Sequence, residues 1–448
     1  MEKLIGLIEE KKFVELKMAL TNTQPADIAE LFEELSADKI LIAFRLLPKE
    51  LAADTFAYLE NDKQELLIKT FSDKELEDVF QELFIDDLVD IVEEMPANVV
   101  KRILKHTDIE TRNIINEILQ YPNESAGSIM TTEFVRLQAH LTVEESFNKI
   151  RATGVDKETV YTCYVTADDR RLLGIVSVKT LLLSNYEDKI SDIMETNFIC
   201  VNTKEDREAV AKKLTKYDLM AIPVVDSENR LVGIVTFDDA MDVIEEETEE
   251  DFALMSGVSP SDESYFKTSV FSHAKNRIVW LLFLMLSAII TGLVITHYET
   301  AFASLPILVA FIPMLMGTGG NCGSQSATVI IRALALDEIE FKDIFKVLFK
   351  ELRISLIVGV ILAFVNFLRI YIMYKNEPSC SAVQLAGAVS LTIFSVVIIA
   401  KLIGCALPML AKKIGLDPAI MASPFISTIV DTCSVLIFFN IAVLILGV

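Results

Sequence analysis

Histidine is scarce. The 448 residues hold four, His106, His140, His273 and His297, all far apart. They offer no constellation for acid–base or nucleophilic catalysis. The six cysteines stand at 163, 200, 322, 380, 405 and 433, and no pair has the close spacing of a zinc or redox motif. They read as small apolar residues. A Walker-A loop to cradle phosphate is missing, which argues against ATP-driven pumping. Basic residues are outnumbered 41 to 65, for a net charge of −24. That balance does not suit nucleic acid, which needs a basic footprint. The opening MEKLIGLIEEKKF is charged throughout and does not read as a cleavable signal.

Apolar residues are plentiful instead. They make up 52% of the chain, and mean hydropathy is +0.42. Position reconciles this with the charge. From His273 onward there are 12 Lys and Arg against 9 Asp and Glu; the other 29 bases and 56 acids precede it, a net of −27. The sequence thus predicts a strongly acidic soluble body followed by a membrane domain. The acidic body would attract cations.

A span needs about 20 mostly apolar residues. Five stretches qualify: Ile278–Thr296, a run between Glu299 and Arg332, Ile354 to about Tyr374, about Leu385 to Leu410, and about Ala419 to Leu446. Arg369 and Lys401 fall inside spans, where snorkelling to an interface is the preferred reading. Lys267, Lys275 and Arg277 precede the first span. Arg332, Lys342, Lys346, Lys350 and Arg353 lie between the second and third, and Lys412 and Lys413 between the fourth and fifth. This bias puts the N-terminus in the cytoplasm and, with five spans, the C-terminus outside. The amphipathic 332–353 segment is expected to lie along the inner surface.

Asp431 is the only charge between Asp417 and Val448. A carboxylate at bilayer depth costs roughly 2.5–3.5 kcal/mol even on mild scales, and such groups usually face a bundle interior or a watery pore. A buried, hydrogen-bonded Asp is the plainer explanation.

Residues 1–125 repeat apolar positions at three and four residue spacing, with Pro48 and Pro96 marking helix ends. This predicts short helices stacked in a superhelix. Residues 126–245 change period. There GSIMTTEFVRLQAHLTVEESFNKI and LLGIVSV are answered by SDIMETNFICVNTKEDREAVAKKL and LVGIVTF, an internal duplication. The pair resembles tandem cystathionine-β-synthase (CBS) modules. The resemblance makes Thr236 and Asp239 candidate nucleotide contacts, with ATP as a candidate modulator. Thr180 stands at the corresponding acid position of the first repeat. Residues 246–272 form a very acidic connecting segment, either a solvated linker or a helix whose repulsion divalent cations relieve.

The ensemble is a multi-domain membrane protein: an all-α superhelical N-domain (1–125), an α+β tandem CBS pair (126–245), a connecting helix (246–272) and a five-helix transmembrane domain (273–448). It resembles the MgtE family of magnesium channels and transporters. The sharpest segments are PILVAFIPMLMGTGGNCGSQSATVIIRALAL, similar to the family's Pro- and Gly-broken second span, and GLDPAIMASPFISTIVD, similar to the entry into its fifth. Clustered glycines there can free carbonyls or simply allow a tight crossing.

The resemblance implies a homodimer in a lipid bilayer that admits Mg²⁺ and is closed by cytoplasmic Mg²⁺. It places the pore ion at Asp431, with the carbonyl near Ser427, and makes Gly319, Gly320, Asn321 and Gln325 candidate pore lining. It assigns regulatory metal to Asp87, Asp90, Asp206, Asp218, Asp239, Asp242, Glu247, Glu250 and Asp417. Asn98 stands where the family commonly carries a further acid. The rival reading is a membrane receptor that senses cations or nucleotides without conducting; it would not need Asp431 at bilayer depth.

Overall fold

A computed structural model describes residues 2–155, 157–261, 265–266, 268–299, 303, 305–376, 381–421 and 423–447. Lys267 and Cys380 lie outside them. Packing divides the chain into two compact units, residues 1–245 and 246–448.

The first unit opens with ten helices, α1–α10, from Glu2–Glu9 to Ile109–Ile118. Each is eight to ten residues long, too short to stand alone in water. What holds them is a shared core. Phe32, Phe44, Phe56, Ile68, Phe80 and Val92 recur every twelve residues and are all buried. The first three touch ring to ring, with Phe32–Phe44 and Phe44–Phe56 centroids both 6.3 Å apart. Pro48 and Pro96 are the N-cap residues of α5 (Lys49–Ala57) and α9 (Ala97–His106), so each proline both stops one helix and starts the next.

Two three-stranded sheets follow. The first has order β1 (Phe134–Gln138), β2 (Thr159–Thr166), β3 (Leu172–Ser177); the second has order β4 (Val201–Asn202), β5 (Ala221–Val225), β6 (Leu231–Thr236). In each sheet the first pair is parallel, with a helix between, and the second is an antiparallel hairpin. The two hairpins dock reciprocally: Leu172 N–H donates to Asn229 O at 3.0 Å and Leu231 N–H to Arg170 O at 2.9 Å. That symmetry is the duplication made physical. Helix α15 (Phe237–Met255) runs on from β6.

Among the described residues the second unit contains five helices long and apolar enough to cross a membrane, within Val270–His297, Pro306–Ala335, Phe341–Tyr374, Ala382–Lys413 and Pro418–Leu446. The helices themselves are α16 (Val270–His297), α17 (Ile312–Ala335), α18 (Ile344–Tyr374), α19 (Ala382–Lys413) and α20 (Ser423–Leu446). Two expectations change here. The amphipathic 332–353 segment is not a separate element: its start ends α17, its second half from Ile344 is the first turns of α18, and a short link joins them. The second span is broken only at its start, by a 3₁₀ turn at Pro306–Phe311; α17 is a continuous helix through all of its glycines.

Candidate cation sites

The first site lies in the first unit and is built by α8, the residues just ahead of β1 and β2, and the start of α15. Helix α8 (Ile85–Glu94) buries Ile85, Leu88, Val89, Ile91 and Val92 along one side, which leaves Asp86, Asp87 and Asp90 on another. Two of these acids sit in the first turn, where the exposed N–H groups favour negative charge. Glu133 and Glu158 immediately precede β1 and β2. The parallel register pairs Phe134 with Thr159, and Glu158 N–H donates to Glu133 O at 3.0 Å, so the two acids enter side by side. Asp238 and Asp239 open α15. Thr236 fixes Asp239, its hydroxyl donating to Oδ2 at 2.5 Å and its N–H to the same oxygen at 3.3 Å.

These carboxylates perturb one another. Burial and then Asp87 push Asp86 up to about 7. Burial and then Asp239, Asp54 and Asp238 push Asp87 to about 7. Asp239 rises to about 7 through burial and Asp86, against the hydrogen bonds from Thr236. Glu158 rises to about 8 through burial and then Asp86, Asp238, Asp239 and Asp87. Asp90, open to solvent at the rim, is pushed to about 8 by the burial it does suffer and by Asp86 and Asp239. Every charge named in these shifts is another carboxylate. Glu158 Oε2 is buried with no hydrogen-bond partner among the described residues. A cluster with these properties either keeps protons or takes a cation, and hard oxygen ligands suit Mg²⁺ or Ca²⁺.

Of the predicted regulatory acids, the fold brings Asp87, Asp90 and Asp239 together; Asn98 is exposed in the first turn of α9. Others have local structural work. Asp206 caps the helix Arg207–Lys216, accepting from Ala209 N–H at 3.1 Å. Asp218 is exposed and adopts a left-handed turn (φ 51°) just past that helix. Asp242, Glu247 and Glu250 lie along α15. Asp417 accepts from Ala419 N–H at 2.7 Å, at the start of the 3₁₀ turn Pro418–Met421. Glu133 and Glu158 were not singled out from sequence. Their signal is a glutamate just ahead of each strand of a parallel pair, which carries meaning only once the register is known.

The second site is in the membrane unit. Asp431 lies near the middle of α20 and is half-buried. The neighbouring Thr432 hydroxyl is 2.7 Å from that of Thr291 on α16. The glycines of α17 let it approach α20 closely. A Cβ on Gly319 would come within 2.8 Å of Val430 and Ser434, one on Gly320 within 3.1 Å of Ser427 Oγ, and one on Gly323 within 2.7 Å of Ile426. So Gly319, Gly320 and Ser427 meet where α17 crosses the Asp431 helix itself. Asn321 and Gln325 point elsewhere. With Ser324 and Thr328 they line a cavity of about 760 Å³ against Glu351 of α18 and Lys401 of α19, and Asp431 is not among its lining residues.

Lys401 does not snorkel. It is buried, and Nζ donates to Ser326 Oγ at 3.2 Å while Ser326 Oγ donates to Glu351 Oε2 at 2.8 Å. The two charges are 3.9 Å apart, with side chains 8% and 10% exposed. Burial beside a carboxylate leaves no route to an interface. Arg369 is exposed, with Nη2 3.0 Å from Asn366 Oδ1 and 2.8 Å from Met314 Sδ.

Residues 23–124 match the family model for the MgtE intracellular N domain. Residues 126–185 and 190–246 match that for CBS domains, and 312–441 that for MgtE, a divalent cation transporter. The magnesium transporter MgtE of Thermus thermophilus is 33% identical over 435 residues, covering 96% of this chain and 95% of that one. The chain belongs to the MgtE family. The MgtE of Bacillus subtilis is 29% identical over 440 residues, covering 98% and 96%. A crystal structure of the cytosolic domain of the Mg²⁺ channel MgtE in complex with ATP is 34% identical, with a TM-score of 0.51, covering 54% of this chain and 98% of that one. With five apolar helices and this relationship, the chain is a multi-pass membrane protein of a divalent cation transporter family.

Proposed function

We propose that this chain is a Mg²⁺ channel that admits the ion down its electrochemical gradient and closes as cytoplasmic Mg²⁺ rises. The observation that carries conduction is Asp431, a half-buried carboxylate near mid-helix in the last span. Mg²⁺ dehydrates reluctantly and keeps several waters. One Asp from each of two subunits, facing across a dimer axis, would hold a hydrated ion through its waters, with carbonyl oxygens near Ser427 completing the site. An inside-negative potential adds about 2.3 kcal/mol per charge per 100 mV to entry.

The acid cluster of Asp86, Asp87, Glu133, Glu158 and Asp239 supports the closing step. Empty and ionised, it repels; filled, it draws α8 toward α15. Closure requires only that Mg²⁺ bind the closed state more tightly than the open one. The same Asp239 is held by Thr236, so a nucleotide at that pair would compete with or tune the cluster. The basic flanks of the spans favour a cytoplasmic N-terminus and an outer C-terminus. The chain has a transporter's role and no enzymatic one, and the domain limits at residues 125, 245 and 272 follow from the same reading.

The deciding experiment is Mg²⁺ flux into proteoliposomes holding the purified protein, with cytoplasmic Mg²⁺ varied and Asp431→Asn alongside. Flux that falls with cytoplasmic Mg²⁺ and is lost in the variant is expected. Flux left intact in folded Asp431→Asn protein would remove the pore assignment. No flux in folded wild-type protein would turn the reading to a non-conducting cation receptor.

A further inference from the structure

We propose that Gly257 and Trp280 form a latch that transmits the state of the acidic connecting helix to the helix carrying Asp431. The inference rests on the reading that cytoplasmic Mg²⁺ closes the pore, and it names the contacts that would carry the closing movement.

Helix α15 begins with the acids of the cytosolic cluster and ends at Met255. Its end is tightly specified. Val258 N–H donates to Ala253 O and Gly257 N–H to Leu254 O, both at 2.9 Å, the paired bonds of a Schellman cap. Gly257 takes φ +69°, which side chains with a Cβ rarely adopt. A Cβ there would also lie 2.2 Å from the indole of Trp280. The helix end and the ring are therefore in direct contact, and two residues on, Ser259 N–H donates to Asn276 O at 3.0 Å. The indole Nε1 is buried there without a hydrogen-bond partner among the described residues. An unmet buried donor is unfavourable, which marks a contact held in place by its surroundings.

From Trp280 the contacts continue along α16 into α20. The Trp280 and Phe283 rings are 5.7 Å apart. Phe283 stacks on Phe425 at 6.0 Å and 16°. Two turns further on, Thr291 meets Thr432, the residue after Asp431, and Tyr298 stacks on Phe439 at 4.8 Å and 18°. α20 is the principal helical neighbour of α16. A movement at the end of α15 thus reaches the Asp431 helix through one rigid element with contacts at three levels.

Trp280 is the sole tryptophan of the chain, so its fluorescence reports the latch without labelling. The full-length protein in liposomes is titrated with Mg²⁺ on the cytoplasmic side while emission and flux are followed together. Emission is expected to change with the same midpoint as closure. Constant emission across a titration that closes the pore would overturn the latch. Wild-type flux indifferent to cytoplasmic Mg²⁺ would instead overturn the gating reading beneath it. Trp280→Ala is expected to raise the half-closing Mg²⁺ concentration by about fivefold or more, leaving maximal flux unchanged, and Trp280→Phe, which keeps a ring, to raise it less. A folded Trp280→Ala protein with an unmoved midpoint would also end the proposal; should that variant not fold, the wild-type fluorescence decides.

Discussion

Glu133 Oε2 accepts a hydrogen bond from the Ile85 amide at 3.0 Å, joining the first sheet module to the first residue of the acidic helix α8. The bond does two things. It satisfies an orphan N–H at a helix start, and it brings a carboxylate in beside Asp86 and Asp87. Glu133→Ala should therefore destabilise the first unit by about 1–3 kcal/mol, leaving the buried amide unmet. Glu133→Gln keeps an acceptor and removes a charge, so it should cost much less in metal-free buffer. Thermal unfolding of the two variants in chelator checks this; equal losses would show that the bond does not hold the helix in place.

The raised acids make stability depend on pH with a definite sign. Asp86, Asp87 and Asp239 at about 7 and Glu158 at about 8 stand above the values of about 4 of an unfolded chain. Between roughly pH 4 and 8 the folded state thus holds more protons than the unfolded one. Stability must fall as pH rises through that window, and the full penalty is present above it. Mg²⁺ needs the acids deprotonated, so its binding strengthens over the same range. In chelator the unfolding temperature of the first unit should drop from pH 5 to pH 8. Added Mg²⁺ should restore it at pH 8 and do little at pH 5, and Asp86→Asn should flatten the profile. A chelator profile that rises toward pH 8 would mean that these acids do not share a buried site.

Much of this was legible in sequence, because much of it is periodic. The twelve-residue recurrence of Phe32, Phe44, Phe56 and Phe80, the repeated GIV strands and the long apolar runs each obey a local rule. Asp431 was legible for the opposite reason: a lone acid among apolar residues breaks the rule around it. Glu133 and Glu158 stand 25 positions apart, and only strand register brings them together. Lys401 was misread because its partner Glu351 seemed to belong to an interfacial loop, and helix α18 begins earlier than hydropathy suggests. The glycines of α17 admitted two readings, and the helix–helix distances favour the crossing.

The Lys401–Ser326–Glu351 chain pins three spans with two opposite charges in a buried setting. Removing one partner leaves the other uncompensated, which costs roughly 3–5 kcal/mol. Lys401→Met and Glu351→Gln should each sharply reduce folded protein recovered in detergent. The double variant Lys401→Met with Glu351→Leu should recover most of that loss, since replacing both charges by apolar groups of similar size is often neutral or stabilising. A double variant as unstable as the singles would show that the two charges act independently.

At Gly404 on α19 a Cβ would lie 2.2 Å from the carbonyl oxygen of Gly323 on α17. Backbone cannot rotate aside as a long side chain can, so the added methyl must push the helices apart. Gly323 is itself packed on Ile426 and the Ala400 carbonyl, and the displacement passes on to α20 five residues before Asp431. Gly404→Ala should cost at least the 1–3 kcal/mol typical of overpacking, lower the thermal midpoint of the membrane unit and depress flux. Gly387 lies on the same helix with nothing within 4 Å of its would-be Cβ, and there alanine should be neutral or slightly stabilising through its better helix propensity. Equal midpoints for the two variants would mean that the α17–α19 crossing yields to a methyl group and does not fix the position of the Asp431 helix.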